Sequence, residues 1–307
     1  MVTIRNAETP SRSENDRLGG STASACDSDE QRRIAEVLDA VDAAIQRTDT
    51  LINKLKWMKA GLLNDLLTRG LDRDGKLRDP VRHPEQFKDG SPFGLIPSDW
   101  DYKTLKNVTL KVADRDHTTP IYVEEGVLMV SPLNFFGDEG IDFAACKRIT
   151  QGAHNINRKK TDIQTDDIII HRIGAGLGRV RLVTPEMPDF SILHSLAMIR
   201  PEKEKITSSY LLWALRVHRA QRQMQLGTQS IGVPDLGLDK IEQLLLPVPR
   251  SKVEQQQIAH TLNSHQDIIH AEEAKRDKLI QIKKGLMHDL LTGRVRVPVT
   301  RSEVVAV

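Results

Sequence analysis

Between residues 147 and 181 eight basic side chains, Lys147, Arg148, Arg158, Lys159, Lys160, Arg172, Arg179 and Arg181, are set against three acids. Gln151, His154, Asn155 and Asn157 are interleaved with them. Arginine and asparagine carry the forked groups that fit guanine and adenine edges in a major groove, while lysine and arginine neutralise phosphates. A second group follows on an expected helix over about 208–225, where Arg216, Arg219 and Arg222 fall at i, i+3 and i+6 and form one stripe. Gly227-Thr228-Gln229-Ser230 closes that helix with small polar residues. The chemistry these residues suit is nucleic-acid contact. The expected DNA-binding set is Asn155, Asn157, Arg158, Lys159, Lys160, Arg172, Arg179, Arg181, Arg216, Arg219, Arg222, Gln229 and Ser230. A solvated charged surface is the competing reading.

Patterns that would carry catalysis are missing. Ile173-Gly174-Ala175-Gly176-Leu177-Gly178 has the glycines of a dinucleotide loop, but such a loop must open a helix, and here the strand-like Arg179-Val180-Arg181-Leu182-Val183 follows. It reads as a hairpin turn with a close backbone approach. Histidines 260, 265 and 270 are spaced by five, which on a helix points them to different sides and prevents convergence on one metal. There is no GxxxxGK[ST] loop and no Asn/Asp-Pro-Pro-aromatic motif of an amino-methyltransferase. Neither Pro188-Asp189 nor Pro234-Asp235 is followed within 30 residues by the Glu-x-Lys of a common nuclease site. The expectation is a non-enzyme with no metal and no cofactor of its own. Cys26 and Cys146 lack metal-ligand spacing and read as reduced thiols, and no apolar run is long enough to span a bilayer. The net charge of +2 excludes a histone-like protein while allowing a local basic face. The expected setting is cytoplasmic, with no membrane partner.

These residues must be held by something, and the framework is a repeat. Residues 30–70 return at 254–294 with a constant offset of 224, and 15 of the 41 positions are identical. Apolar residues in both copies step by 4 and 3 alternately, as in a coiled-coil seam. The shared seam positions are Ile34, Leu38, Ile45, Leu55, Leu62 and Leu66 in the first copy. Their equivalents are Ile258, Leu262, Ile269, Leu279, Leu286 and Leu290. Ser251-Lys252-Val253-Glu254 has the form of a capping box, and Asp27-Ser28-Asp29-Glu30 repeats it with Asp as cap. Each helix would be roughly 60 Å long, and spacing alone leaves parallel and antiparallel packing open. Between them, 71–96 is dense in turn signals and reads as a linker. From 97 to 250 short strand-like runs at 121–123, 127–130, 167–170, 180–183 and 192–199 predict an α+β domain. The division expected is a disordered lead-in at 1–27, helices at 28–70 and 251–293, a linker at 71–96, the domain at 97–250 and a tail at 294–307.

Several separated motifs resemble the specificity subunit of type I restriction-modification systems. They are Glu254-Gln255-x-x-Ile258 after Pro247-x-Pro249, and Lys284-Gly285-Leu286-Met287-x-Asp289-Leu290-Leu291-Thr292-Gly293. Thr68-Arg69-Gly70 with Gly75-Lys76-Leu77-Arg78 and Gly94-Leu95-Ile96-Pro97-x-x-Trp100 complete the set. The resemblance covers about 28–297. It implies a mixed α/β target recognition domain at 97–250, flanked by two long helices that form an antiparallel coiled coil. It further implies that the chain reads one half of a bipartite site in double-stranded DNA and docks methyltransferase and restriction subunits. A full family member carries another recognition domain before its first helix, and residues 1–27 have no such pattern. The chain is therefore expected to lack that first half and to pair with itself or with a second specificity chain. The rival expectation is a truncated interaction protein that binds methyltransferase through its coiled coil without effective DNA recognition.

Overall fold

The computed structural model describes residues 28–90, 93–118, 120–228 and 232–298. They form two compact units, one of residues 28–50 with 273–298 and one of residues 51–272. Two long helices contribute to both: α1, Ser28–Arg69, and α7, Lys252–Leu291.

In the unit of 28–50 and 273–298 the helices run antiparallel. Asp42 meets Lys283 at 2.6 Å and Asp49 meets Arg276 at 3.8 Å, so that rising numbers on one helix meet falling numbers on the other. In the unit of 51–272 the same sense holds, with Lys59 Nζ donating to Gln266 Oε1 at 2.7 Å and the Leu71 N–H donating to Glu254 Oε1 at 2.9 Å. All twelve seam residues expected from the repeat are buried or half-buried. Ile34, Leu66, Ile258, Leu262, Ile269 and Leu290 are buried, and a side chain of that size contributes roughly 1.5–3 kcal/mol when removed from water.

The first residues after α1 are not a bare linker. Leu71 bridges to Leu77, and β1 (Phe87–Asp89) pairs antiparallel with β2 (Leu95–Pro97). β3 (Trp100–Thr104) and the short α2 (Leu105–Val108) then lead into β4 (Thr109–Ala113). β5 (Tyr122–Val123), β6 (Val127–Val130), β7 (Phe135–Phe136), β8 (Gly140–Ile141), β9 (Lys147–Ile149) and α3 (Gln151–Arg158) follow. Next come β10 (Ile168–His171), β11 (Val180–Leu182), β12 (Phe190–Ile192) and β13 (Leu196–Pro201). The chain then passes through α4 (Ser208–Arg216), α5 (His218–Leu226), α6 (Leu238–Glu242) and β14 (Leu245–Pro249), which pairs with β3 and delivers it to α7.

Two four-stranded sheets organise this domain, ordered β11-β10-β13-β4 and β12-β6-β9-β5. The central strands of the first, β10 and β13, are buried on both faces, which explains why they are largely continuous apolar runs rather than alternating ones. Ile168 and Ile170 of β10 enter a core shared with α4, α1 and α7, while Ile169 enters a second core with Val130, Phe190 and Ile192.

Three local expectations are corrected. The strand expected over 192–199 is two strands in different sheets, β12 and β13, because the chain turns through Leu193–Ser195. The helix expected over 208–225 breaks at Val217, whose ψ of 145° is extended, giving α4 and α5. The capping box at 251–254 is half made. Ser251 Oγ accepts the Glu254 N–H at 3.3 Å, but the Glu254 carboxylate is committed elsewhere. Helix α3 lies where the sequence suggested only interleaved polar residues. The lead-in at 1–27 and Asp27 lie outside the described residues.

Candidate nucleic-acid interface

Helix α3 sorts the basic run. Thr150 caps it, its hydroxyl accepting the Ala153 N–H at 3.2 Å. His154 and Asn157 turn inward: His154 Nδ1 lies 2.9 Å from Ser191 Oγ, and Asn157 Nδ2 donates to the same oxygen at 3.3 Å. Asn157 is therefore removed from the reading set, because its amide is spent holding α3 against β12. The other face presents Gln151, Asn155, Ile156, Arg158, Lys159 and Lys160 to solvent. Gln151 Nε2 donates to Asn155 Oδ1 at 3.0 Å, and Lys160 pairs with Asp116. Arg158 and Lys159 have no carboxylate partner among the described residues. An exposed helix edge with two unpaired cations and an amide pair is the arrangement that phosphate and base contacts require.

The remaining arginines have other uses. Arg172 is buried and donates to Asp114 at 3.2 Å, Asp235 at 2.7 Å, the Leu236 carbonyl at 3.0 Å and the His194 carbonyl at 3.2 Å. It ties the β10 end to three distant loops, and a groove could not reach it. Arg181 is buried as well, its guanidinium donating to the carbonyls of Gly140, Val180, Phe136 and Gly137. Both guanidiniums are engaged by the chain's own carboxylates and carbonyls rather than presented on an exposed face. The expected arginine stripe is also interrupted, since the break at Val217 puts Arg216 on α4 and the other two on α5. Arg216 turns to Glu139 at 2.9 Å, and Arg219 donates to the Tyr102 hydroxyl at 3.0 Å. Arg222 alone is exposed. Gln229 and Ser230 lie outside the described residues.

Three of these arginines nevertheless come together. Arg179, Arg181 and Arg216 line a cavity of about 440 Å³ with Lys59 of α1, Asp138, Trp213 and Gly178. Gly178, the last residue of the glycine hairpin expected at 173–178, lines it. Gly176 and Gly178 have φ of 97° and 89°, and a Cβ on Gly178 would lie 2.5 Å from Gln221 Oε1, so α5 approaches the backbone as closely as the sequence suggested.

The motifs that mark the helix ends also converge. Glu254 is buried and accepts from Leu71 N, from Arg78 Nη1 at 2.7 Å and from Trp100 Nε1 at 3.1 Å. The adjacent Gln255, fully buried, accepts the Thr207 N–H and donates to the Lys205 and Pro249 carbonyls. Asn263, one helical turn beyond Ala259, accepts from Trp213 Nε1 at 2.8 Å. In the other unit Glu30, the counterpart of Glu254, is likewise buried. It accepts the Val297 N–H at 3.2 Å and pairs with Arg296 at 2.6 Å. The repeat builds the same clamp twice: the glutamate opening one helix holds the chain leaving the other. Sequence reasoning placed Glu254, Arg78 and Trp100 in motifs without assigning them to one another. Lys59 and Lys283, which the period marks only as seam steps, each reach across to the opposite helix. Their identity in both copies at polar seam positions was the available signal.

Among the described residues no helix is long and apolar enough to cross a membrane, and no group of three or more potential metal ligands occurs.

The profile of the type I restriction modification DNA specificity domain matches residues 97–281. The MjaX type I restriction enzyme specificity subunit of Methanocaldococcus jannaschii is 26% identical over 275 residues, covering 88% of this chain and 58% of that protein. The MjaVIII specificity subunit of the same organism is 23% identical over 277 residues, covering 88% of this chain and 61% of its own length. Two crystal structures share the fold. The HsdS subunit from Thermoanaerobacter tengcongensis has a TM-score of 0.52 at 16% identity, over 87% of this chain and 59% of that one. The type I restriction-modification S subunit from M. genitalium has a TM-score of 0.53 at 18% identity, over 89% and 62%. The chain spans about three fifths of the length of these relatives. The profile match extends over more than half of the sequence, and the chain belongs to the type I restriction modification DNA specificity domain family.

Proposed function

We propose that this chain is a non-catalytic DNA-reading subunit of a type I restriction-modification complex, in which residues 97–250 recognise one half of a split site. Methylation and cleavage belong, on this reading, to methyltransferase and restriction subunits that dock on the helical pair. The observation that carries it is the outer edge of α3, where Arg158 and Lys159 stand unpaired beside Gln151 and Asn155. Binding of duplex DNA by the purified chain tests it. Arg158→Ala and Lys159→Ala should weaken binding to all sequences and lower the salt slope by about one counterion for each phosphate no longer neutralised. Asn155→Ala should instead alter sequence preference, by about 1–3 kcal/mol at the base it reads. If all three variants bind as the native chain does, α3 is not the reading edge.

The partner that supplies the other half-site is a second specificity chain, seated on the outer face of α1. Repeat equivalence supports this. Gln255, Ala259 and Leu262 are buried beneath the recognition domain, whereas Gln31 and Ala35 are exposed and Leu38 is half-buried. Among the described residues the same registers are thus buried in one copy and exposed or half-buried in the other. Pairing of two copies seam to seam is less favoured, because the seam residues are already covered within each chain.

A further inference from the structure

The cavity beside α1 carries more positive charge than its own carboxylates balance. Four cationic side chains line it: Lys59, Arg179, Arg181 and Arg216. Asp138 takes Lys59 at 2.8 Å, and Glu139 takes Arg216 at 2.9 Å. Among the described residues neither Arg179 nor Arg181 has an ion-paired carboxylate, and Asp138 and Glu139 attract Arg181 only as lesser influences. Arg179 donates to the Phe135 carbonyl at 2.6 Å and lies over the Phe135 ring, and Arg181 donates only to backbone carbonyls. Carbonyl dipoles satisfy donors but cancel no charge. Burial, with Arg179 and Arg216 adding repulsion, pushes Arg181 down to about 10. Like charges held together out of water are costly unless a counter-charge joins them, and a perturbed group facing a cavity marks a candidate binding site. The four cations come from four parts of the domain (α1, the β10–β11 hairpin, β11 and α4), so the convergence is a product of the fold and not of one basic run.

We propose that this cavity is an oxyanion site that takes a phosphate group, from a DNA backbone or from a free phosphate. It is distinct from the α3 edge, and it rests on the DNA-reading assignment only if DNA is the source. Guanidinium groups suit tetrahedral oxyanions because each presents paired N–H donors in a plane. Trp213, beneath Arg216 at 4.7 Å, and Leu63 give the cavity an apolar flank that strengthens the charge interaction by excluding water.

Titration of the full chain with sodium phosphate, against sodium chloride at matched ionic strength, tests the site by calorimetry and by thermal midpoint. Phosphate should bind saturably and raise the midpoint, as any ligand selective for the folded state does. Arg179→Gln removes a cation whose side chain makes one hydrogen bond among the described residues, to the Phe135 carbonyl, and should weaken phosphate about tenfold or more. Lys147→Gln, outside the cavity, should leave it unchanged. Should Arg179→Gln fail to fold, Lys59→Gln makes the same comparison. If phosphate also displaces duplex DNA from the native chain but not from Arg179→Gln, the DNA backbone is the source. If duplex affinity is indifferent to Arg179→Gln while phosphate affinity falls, the ligand is a free phosphate. Absence of saturable phosphate binding, or equal binding by native chain and variant, overturns the site. Failure of the native chain to bind duplex would count against DNA reading alone.

Discussion

Arginine is the residue on which sequence and structure disagree most, and the reason is local. A basic run records where cations are, not what faces them. Arg158 and Arg172 look alike in the sequence, yet one stands on an exposed helix edge and the other lies among Asp114, Asp235 and two carbonyls. The two carboxylates come from 58 and 63 residues away, a separation no local pattern encodes. Arg172→Met should therefore act on stability and not on sequence choice. Removing one member of a buried charged network typically costs about 3–5 kcal/mol. Urea denaturation should show a lowered midpoint, while duplex selection by the folded protein keeps its preference. A variant of native stability with altered preference would restore Arg172 as a reader.

Elements were legible where one periodicity ran long, and illegible where the chain changes sheet or direction within a few residues. The 42-residue α1 and 40-residue α7 are such cases of long periodicity. The run 192–199 is apolar on either side of His194-Ser195 because β12 and β13 are each buried on both faces, and two polar residues alone do not separate a turn from a continuous strand. Helix α3 escaped because eight mostly polar residues give little apolar stripe, its two inward side chains being His154 and Asn157. Ionic ties between elements are also hidden from the sequence. Asp162 meets Lys111 of β4 at 2.6 Å and Arg200 of β13 at 2.9 Å, and Arg200 also holds the buried Asp167 at 2.8 Å. Partial burial pushes the Asp162 carboxyl up, but its hydrogen bonds to Lys111 and Arg200 outweigh this and hold it at about 2, below its ordinary 3.8. A carboxyl depressed by folding contributes stability that is fully present above 3.8 and is lost as pH falls toward 2. Acid unfolding followed by circular dichroism should include this loss in that window. Arg200→Met should move the acid transition to higher pH, because Asp162 then protonates more readily. An acid transition unchanged in Arg200→Met would show that the tie contributes nothing.

At the scale of the molecule, the repeat made the framework visible before any coordinate. A constant offset fixes which residues are equivalent, and the seam residues fall inside both units as the period requires. What the repeat cannot show is asymmetry of use. Ala35 and Ala259 are identical in type and register, yet Ala259 is buried under the domain and Ala35 is exposed. Burial there depends on what else the chain places on each helix. The asymmetry supplies a test of the second-chain proposal. Ala259→Arg should unseat the domain, since an overpacked core site loses about 1–3 kcal/mol or more. Ala35→Arg should leave the isolated chain within about 0.5 kcal/mol of native, as an exposed substitution does. When this chain is the sole specificity protein, DNA selected with methyltransferase present should carry one half-site motif. Adding a second specificity chain should add a different half at a fixed spacing, and joining two readers raises affinity by about 10²–10⁴-fold. Ala35→Arg should abolish that second half while sparing the first. Two unrelated halves recovered from this chain alone, or an Ala35→Arg chain that still gains the second half, would remove the outer face of α1 from the assembly.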